Sequence, residues 1–186
     1  MNIRSVPPMT VDQFFDWYAT QDNKFELVGG LAHMQPYVTR NHARITSNLI
    51  HQFRLVLGDD RYDVVATDFA IQTGPSTVRF PDLIVEPYGG PGDERITHEP
   101  LIVVEILSES TKHVDFGEKL NEYRMLGGLQ HYLILAQEKP HVWLWSRGGD
   151  GAWPDDPVIL EGMKADLALP LFGLTIPLSA IYAGVN

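Results

Sequence analysis

One residue restricts this chain more than any other. Glu105 sits inside the run Leu101-Ile-Val-Val-Glu-Ile-Leu107, which has no second charge. Such a short, β-branched run predicts a strand covered on both faces. An ionised carboxylate buried there is costly unless it is paired, protonated or bound to a metal. Any fold of this chain must therefore bring a compensating group to Glu105, on the strand face it shares with Val103 and Leu107.

Two further ionisable residues follow the same logic. Asp82 opens the apolar segment Phe80-Pro-Asp-Leu-Ile-Val85, sharing a face with Ile84 and Glu86. Lys119 lies in the helix-like segment Asp115-Phe-Gly-Glu-Lys-Leu-Asn-Glu-Tyr123. Carboxylates from neighbouring strands can converge on one hard cation, with the Ile106 carbonyl and waters completing an oxygen shell. Mg²⁺ or Mn²⁺ held this way polarises a phosphoryl oxygen and lowers the pKa of a bound water, while a nearby lysine orients that water or offsets charge. The same residues also read as a buried Glu105–Lys119 ion pair, with Asp82 capping a strand end. The residues alone leave both readings open.

The bulk properties narrow the class. The 186 residues fit one domain spanning 1–186, and 44% apolar with 20% charged residues is ordinary for a globular protein. There is no cysteine, which excludes a disulfide framework and thiolate zinc sites and suits a cytoplasmic setting. The N-terminus lacks an apolar signal core. Residues 167–185 carry no charge, but Pro170, Gly173 and Pro177 interrupt them, so a packed turn-and-helix is expected rather than a membrane span. Net charge is −10, from 14 basic and 24 acidic residues, which argues against broad coating of a polyanion but permits a local cationic surface.

The order of signals predicts an α/β or α+β domain on one central mixed sheet flanked by helices. Thr10-Val-Asp-Gln13 reads as a capping box opening a helix to about Ala19. Gly29-Gly30 reads as a hairpin turn between 24–28 and 31–35. Thr39 to Leu57 is the clearest helix, stopped by Gly58. Strands are expected at 62–72, 78–86, 100–107, 131–136 and 141–146, with a helix at 112–126 and a surface loop at 148–154. On the long helix, Ile45, Leu49, Phe53, Val56 and Leu57 gather on one side, and Arg40, Arg44, Ser47, His51 and Arg54 on the other. The arginine stripe is either a solvated face or a phosphate-contacting surface. His42 falls among the apolar residues, as a hydrogen-bonded core histidine or as a lining of the site.

Six ordered elements resemble a known family. Phe25-Glu26-Leu27, Asn41-His42, Pro81-Asp82, Glu105-Ile106-Leu107-Ser108, Asp115-x3-Lys119-x3-Tyr123 and His131-Tyr-Leu-Ile-Leu135 are similar to the signature of the Uma2 family, which falls within the PD-(D/E)xK nuclease superfamily. The likeness runs from about residue 10 to the end. It implies a restriction endonuclease-like fold and a Mg²⁺-dependent endonuclease acting on DNA, with Asp82 and Glu105 on the metal and Lys119 assisting. It also implies a catalytic contribution from Glu26, which from its residue type alone reads as a surface glutamate. Leu107 stands where the wider superfamily has its lysine, so that role passes to Lys119. Glu109 stands where the family usually has proline, and Leu31 where an acidic residue is common. Tyr123 shares a helix face with Lys119 and either braces it or packs in the core. The resemblance also suggests a homodimer.

Other readings are weaker. A non-catalytic binding or scaffold module on the same fold is the principal alternative. Metal-free hydrolysis by paired carboxylates fits poorly, because a neighbouring lysine would keep both ionised. None of the seven histidines forms a His-x-His or His-Glu-x-x-His pair for zinc. Tyr88-Gly-Gly-Pro-Gly-Asp93 lacks the lysine of a phosphate loop.

Overall fold

The computed structural model describes residues 7–58, 60–97, 99–107 and 112–186. Thr10 accepts the Gln13 amide and Gln13 returns the bond to the Thr10 amide, so the expected capping box does open α1 (Val11–Tyr18). β1 (Phe25–Val28) and β2 (Leu31–Met34) pair across Gly29-Gly30, whose φ values of 56° and 85° need residues without a Cβ penalty. Thr39 caps α2 (Arg40–Leu57), and Gly58 ends it at φ 71°.

The next two expected strands each divide in two. Residues 62–72 become β3 (Tyr62–Ala66) and β4 (Ala70–Gly74), separated by Thr67 and Asp68 at φ 52° and 61°. Left-handed backbone is rare for a β-branched residue such as Thr67. Residues 78–86 become β5 (Thr77–Arg79) and β6 (Leu83–Pro87), broken at Phe80-Pro81-Asp82 because proline cannot donate to a ladder. Both breaks are places where the chain changes sheets.

β7 (Ile96–Thr97) and β8 (Ile102–Ile106) precede the helical segment 112–124. That segment comprises α3 (Lys112–Val114), a π-helical turn (Asp115–Lys119) and α4 (Leu120–Arg124). β9 (His131–Leu135), β10 (His141–Ser146) and β11 (Val158–Glu161) follow. The charge-free C-terminal stretch folds as β12 (Asp166–Leu169), a 3-10 turn (Pro170–Phe172), β13 (Leu174–Pro177) and α5 (Leu178–Ile181). It therefore carries a hairpin before its short helix, where only a turn was expected. Among the described residues no helix is long and apolar enough to cross a membrane.

The class is α+β, as expected, but the strands are distributed over three sheets. A five-stranded sheet has the order β2-β1-β5-β4-β7, a six-stranded sheet β11-β10-β9-β8-β6-β3, and β12 pairs with β13. Both larger sheets are mixed, with β4–β7 and β8–β9 parallel. In the six-stranded sheet β8 is central, and alternation sends its side chains to two different cores. Ile102, Val104 and Ile106 join Ile45, Leu49 and Phe53 of α2. Val103 and Leu107 join Leu120 and Tyr123 of α4. Glu105 thus lies in a strand covered on both faces. On α2 one wheel assignment fails, since Val56 is 40% exposed, just beyond the edge of the apolar stripe.

β9 also begins with a buried polar residue that makes stability depend on pH. His131 is buried beside Ser146, Nδ1 lying 2.8 Å from Oγ, and its Nε2 has no hydrogen-bond partner among the described residues. Burial pushes its pKa down to about 4. Because the folded value lies below the unfolded one, the contribution is complete above about pH 6.5 and is lost as pH falls through 4, to a limit of about 3 kcal/mol. Urea midpoints at neutral and mildly acidic pH should therefore differ more in the wild type than in His131→Gln. Equal differences would remove His131 from the acid sensitivity.

Candidate active site

The hinge between the two larger sheets gathers the ionisable residues. Leu83 pairs with Val104, which sets Asp82 beside the end of β8, and the Asp82 amide donates to the Val104 carbonyl at 3.1 Å. Asp82 Oδ2 accepts the Ile106 amide at 2.7 Å, and Oδ1 lies 3.0 Å from His42 Nε2. His42 comes from the first turn of α2. Of its two sequence readings, the structure shows a histidine that is buried and also lines the cleft.

Glu105 points from β8 toward the helical segment. Its Oε1 accepts from Lys119 Nζ at 2.9 Å and from the Tyr123 hydroxyl at 2.9 Å. Lys119 also reaches Glu26 Oε1 at 3.1 Å and Asp115 Oδ1 at 3.4 Å. The π turn spans Asp115 to Lys119, the two ends of this i,i+4 ion pair. Such turns are frequent at functional sites, where they alter which side chains share a helix face. Tyr123 packs in the core, edge-on to Tyr132, and its hydroxyl bonds Glu105 where a contact with Lys119 was expected.

Glu26 is a correction: residue type alone reads it as exposed, whereas it is 2% exposed. Its burial is made possible by Lys119 and by Arg79, whose Nη1 lies 3.0 Å from Glu26 Oε2. Arg79 also meets Glu122 at 2.6 and 2.8 Å and Glu118 at 3.5 Å. Arg79 is a residue of the site that no sequence motif singles out. Its position in a short strand two residues before Pro81 was the available signal, because a buried arginine needs carboxylates around it. Asp115 stands out in the sequence only as a motif position, and Gln137 carries no sequence signal. Gln137 donates to the Leu107 carbonyl and accepts from Thr39, tying the far end of β8 to the start of α2.

The charges do not cancel. Glu26, Glu105, Asp115, Glu118 and Glu122 set five carboxylates against two cations, Lys119 and Arg79, an excess of three negative charges when all are ionised, and Asp82, paired with His42, lies beside them. Burial, followed by the fields of Asp115, Asp82 and Glu26, pushes the Glu105 carboxyl well above its ordinary range despite Lys119. Burial would raise Glu26 too, but Lys119 and Arg79 lower it overall. Burial would lower the Lys119 ammonium, yet Glu105, Glu26 and Asp115 raise it, so Lys119 stays protonated and cannot serve as a base.

Lys119, its three carboxylates and Asp82 floor a cleft of about 410 Å³ whose wall is the α2 face carrying His42, Thr46 and Ile50. Asp82, Glu105, Ile106, Lys119 and Glu26 all line it. None of Arg40, Arg44 and Arg54 does. Arg44 donates to the Gly184 carbonyl at 2.5 Å and Arg54 to the Val64 carbonyl at 3.2 Å, so both help fasten α2 to its neighbours. Arg40 is exposed. Ser108 and Glu109 lie outside the described residues.

The donors suit a hard divalent cation. Excess carboxylate charge and oxygen atoms from Asp82, Glu105 and the Ile106 carbonyl match its preference. Among the described residues no group of three or more His, Asp or Glu side chains forms a metal cage by itself. Mg²⁺ does not require one, since it commonly keeps several waters and binds through one or two carboxylates.

Comparisons with known proteins agree with this architecture. The model of the Uma2 family, described as "Putative restriction endonuclease", matches residues 11–179. Two proteins of Synechocystis sp. (strain ATCC 27184 / PCC 6803 / Kazusa) are similar in sequence. Uncharacterized protein slr1290 is 28% identical over 183 residues, covering 96% of this chain and 94% of its own length. Uncharacterized protein sll1609 is 31% identical over 117 residues, covering 61% of this chain and 66% of its own. Among solved structures, a "putative nuclease belonging to DUF820" from Anabaena variabilis ATCC 29413 superposes with a TM-score of 0.77 at 16% identity, covering 96% of this chain and 100% of that one. At that identity the likeness speaks for the fold.

Proposed function

This chain belongs to the Uma2 family, and from that premise we propose that it is a Mg²⁺- or Mn²⁺-dependent endonuclease hydrolysing DNA phosphodiester bonds. The observation that carries the reading is the excess of buried carboxylates around Lys119 at the floor of an open cleft. A purely structural ion pair needs one partner for one charge; here two cations face five carboxylates.

Asp82 and Glu105, with the Ile106 carbonyl, would hold the cation. When bound, it would polarise the scissile phosphate and lower the pKa of the attacking water. The chain's own residues do the rest. His42 and the Ile106 amide fix the Asp82 carboxylate from two sides. Tyr123 and Lys119 fix Glu105. Lys119, permanently cationic, offsets negative charge developing on phosphorus oxygens as water adds and the P–O bond to the leaving sugar oxygen breaks. Glu26 acts through Lys119: it holds the ammonium from β1 while Glu105 holds it from β8, and Arg79 in turn lowers the Glu26 carboxyl's pKa. The absence of cysteine suits a cytoplasmic setting.

Supercoiled duplex and circular single-stranded DNA, incubated with Mg²⁺, Mn²⁺ or a chelator, test the proposal. Linearisation or degradation in either metal and none in chelator is expected. No cleavage of either DNA in either metal would refute it. A two-fold dimer is also expected, since pairing presents two sites and enlarges the binding surface of a small acidic subunit. Light scattering at micromolar concentration should give twice the 20.9 kDa chain mass, and a monomer alone would defeat this part.

A further inference from the structure

Resting on the nuclease reading, we infer that the rim of the cleft formed by Lys24 and Tyr37 binds one unpaired nucleotide, so that the preferred substrate is single-stranded or locally opened DNA. Lys24 and Lys119 are the lysines among the described residues lining the cleft, and no arginine lines it. Lys119 is buried and already surrounded by three carboxylates. Lys24 is therefore the exposed cation that meets a backbone phosphate other than the scissile one served by Lys119.

Lys24 is held in reserve by a weak contact. Its Nζ lies 2.9 Å from Asp68 Oδ1, with the two side chains 58% and 55% exposed. An ion pair this open is easily exchanged for a phosphate. Asp68 occupies the left-handed bend where the chain leaves the six-stranded sheet, and it too lines the cleft.

Beside Lys24 stands an aromatic ring with nothing covering it. Tyr37 is 91% exposed, yet it is positioned: its hydroxyl donates to Asn23 Oδ1 at 3.1 Å, and the Gln35 amide donates to the Lys24 carbonyl at 2.8 Å. These bonds tie the segment after β2 to the segment before β1, so cation and ring share one rim. A positive group that tracks the backbone beside an aromatic platform is the arrangement that binds single strands. Bases in a duplex offer no free face to such a ring unless they are unstacked. The preference also fits a chain of net charge −10, because a single strand presents fewer phosphates to repel.

Fluorescence anisotropy in chelator, with a labelled single strand and the matching blunt duplex, tests this on the intact chain. The single strand is expected to bind at least about 10-fold more tightly than the duplex, and Tyr37→Ala to lose about 10-fold or more of that affinity, as for other base–aromatic stacks. Tyr37→Phe, which keeps the ring and loses only the bond to Asn23, should bind close to wild type. Lys24→Met should weaken binding and lower the salt dependence by about one counterion, and Asp68→Asn should strengthen it. A duplex bound as well as the single strand, no binding of either, or Tyr37→Ala equal to wild type would overturn the inference. DNA cleavage in metal with a dispensable Tyr37 would leave the nuclease reading intact and remove only this one. Tyr37-dependent binding without cleavage would do the reverse.

Discussion

Lys119→Met is expected to lower metal-dependent cleavage by about 10²-fold or more, the usual cost of removing one electrostatic group from an active site. Cation binding should persist, because lysine is not a ligand. The variant should also melt earlier. Lys119 is the shared partner of Glu26, Glu105 and Asp115, and leaving buried carboxylates uncompensated costs about 3–5 kcal/mol. Loss of stability is common to an enzyme and to a scaffold held together by the same ion pairs, so activity must be compared at a temperature where the variant stays folded. The scaffold reading has its own support in the structure, since every contact of Lys119 is satisfied without a ligand. An early-melting variant of a wild type that cuts no DNA in Mg²⁺ or Mn²⁺ would leave that reading standing.

Asp82→Asn should affect the molecule in the opposite proportion. The amide can still accept from the Ile106 amide, so the local fold is preserved and the melting temperature should move little. What disappears is one of the two carboxylates proposed to hold the cation. Losses in the shell behind a metal ligand already cost about 10- to 100-fold in affinity, and removal of the ligand's own charge should exceed that. Calorimetric titration with Mn²⁺ reads the effect directly. A variant that binds Mn²⁺ as tightly as wild type would remove Asp82 from the site, whatever its activity. Taken together, Lys119→Met retaining the cation and Asp82→Asn losing it would separate the group that assists the reaction from the group that holds the metal.

Much of the site was legible because buried charge is conspicuous in an apolar run. Glu105 among valines and isoleucines demands a partner, and Lys119 with Tyr123 proved to be on the same oxygen. Asp82 before β6 was also placed correctly beside the end of β8, since alternation and strand order suffice to bring it there. Local signals performed well where the physics is local: the capping box of α1, the Gly29-Gly30 turn and the Thr39 and Gly58 ends of α2 each depend on a few consecutive residues.

Burial of polar residues by distant partners was not legible. Glu26 looks like a surface residue until Arg79, from another strand, and Lys119, from the helical segment, close over it. No periodicity encodes that meeting, because it depends on how two sheets are joined. The join itself was equally hidden. A run such as 78–86 reads as one strand, and only tertiary packing decides that Pro81 marks a passage from one sheet to the other rather than an edge. The sequence by itself determined that Glu105 would be buried and that Asp82 would open its own strand, since apolar neighbours and alternation dictate that. Only the tertiary structure decided how many carboxylates share each cation and which face of α2 walls the cleft, because those follow from the angle between elements far apart in the chain.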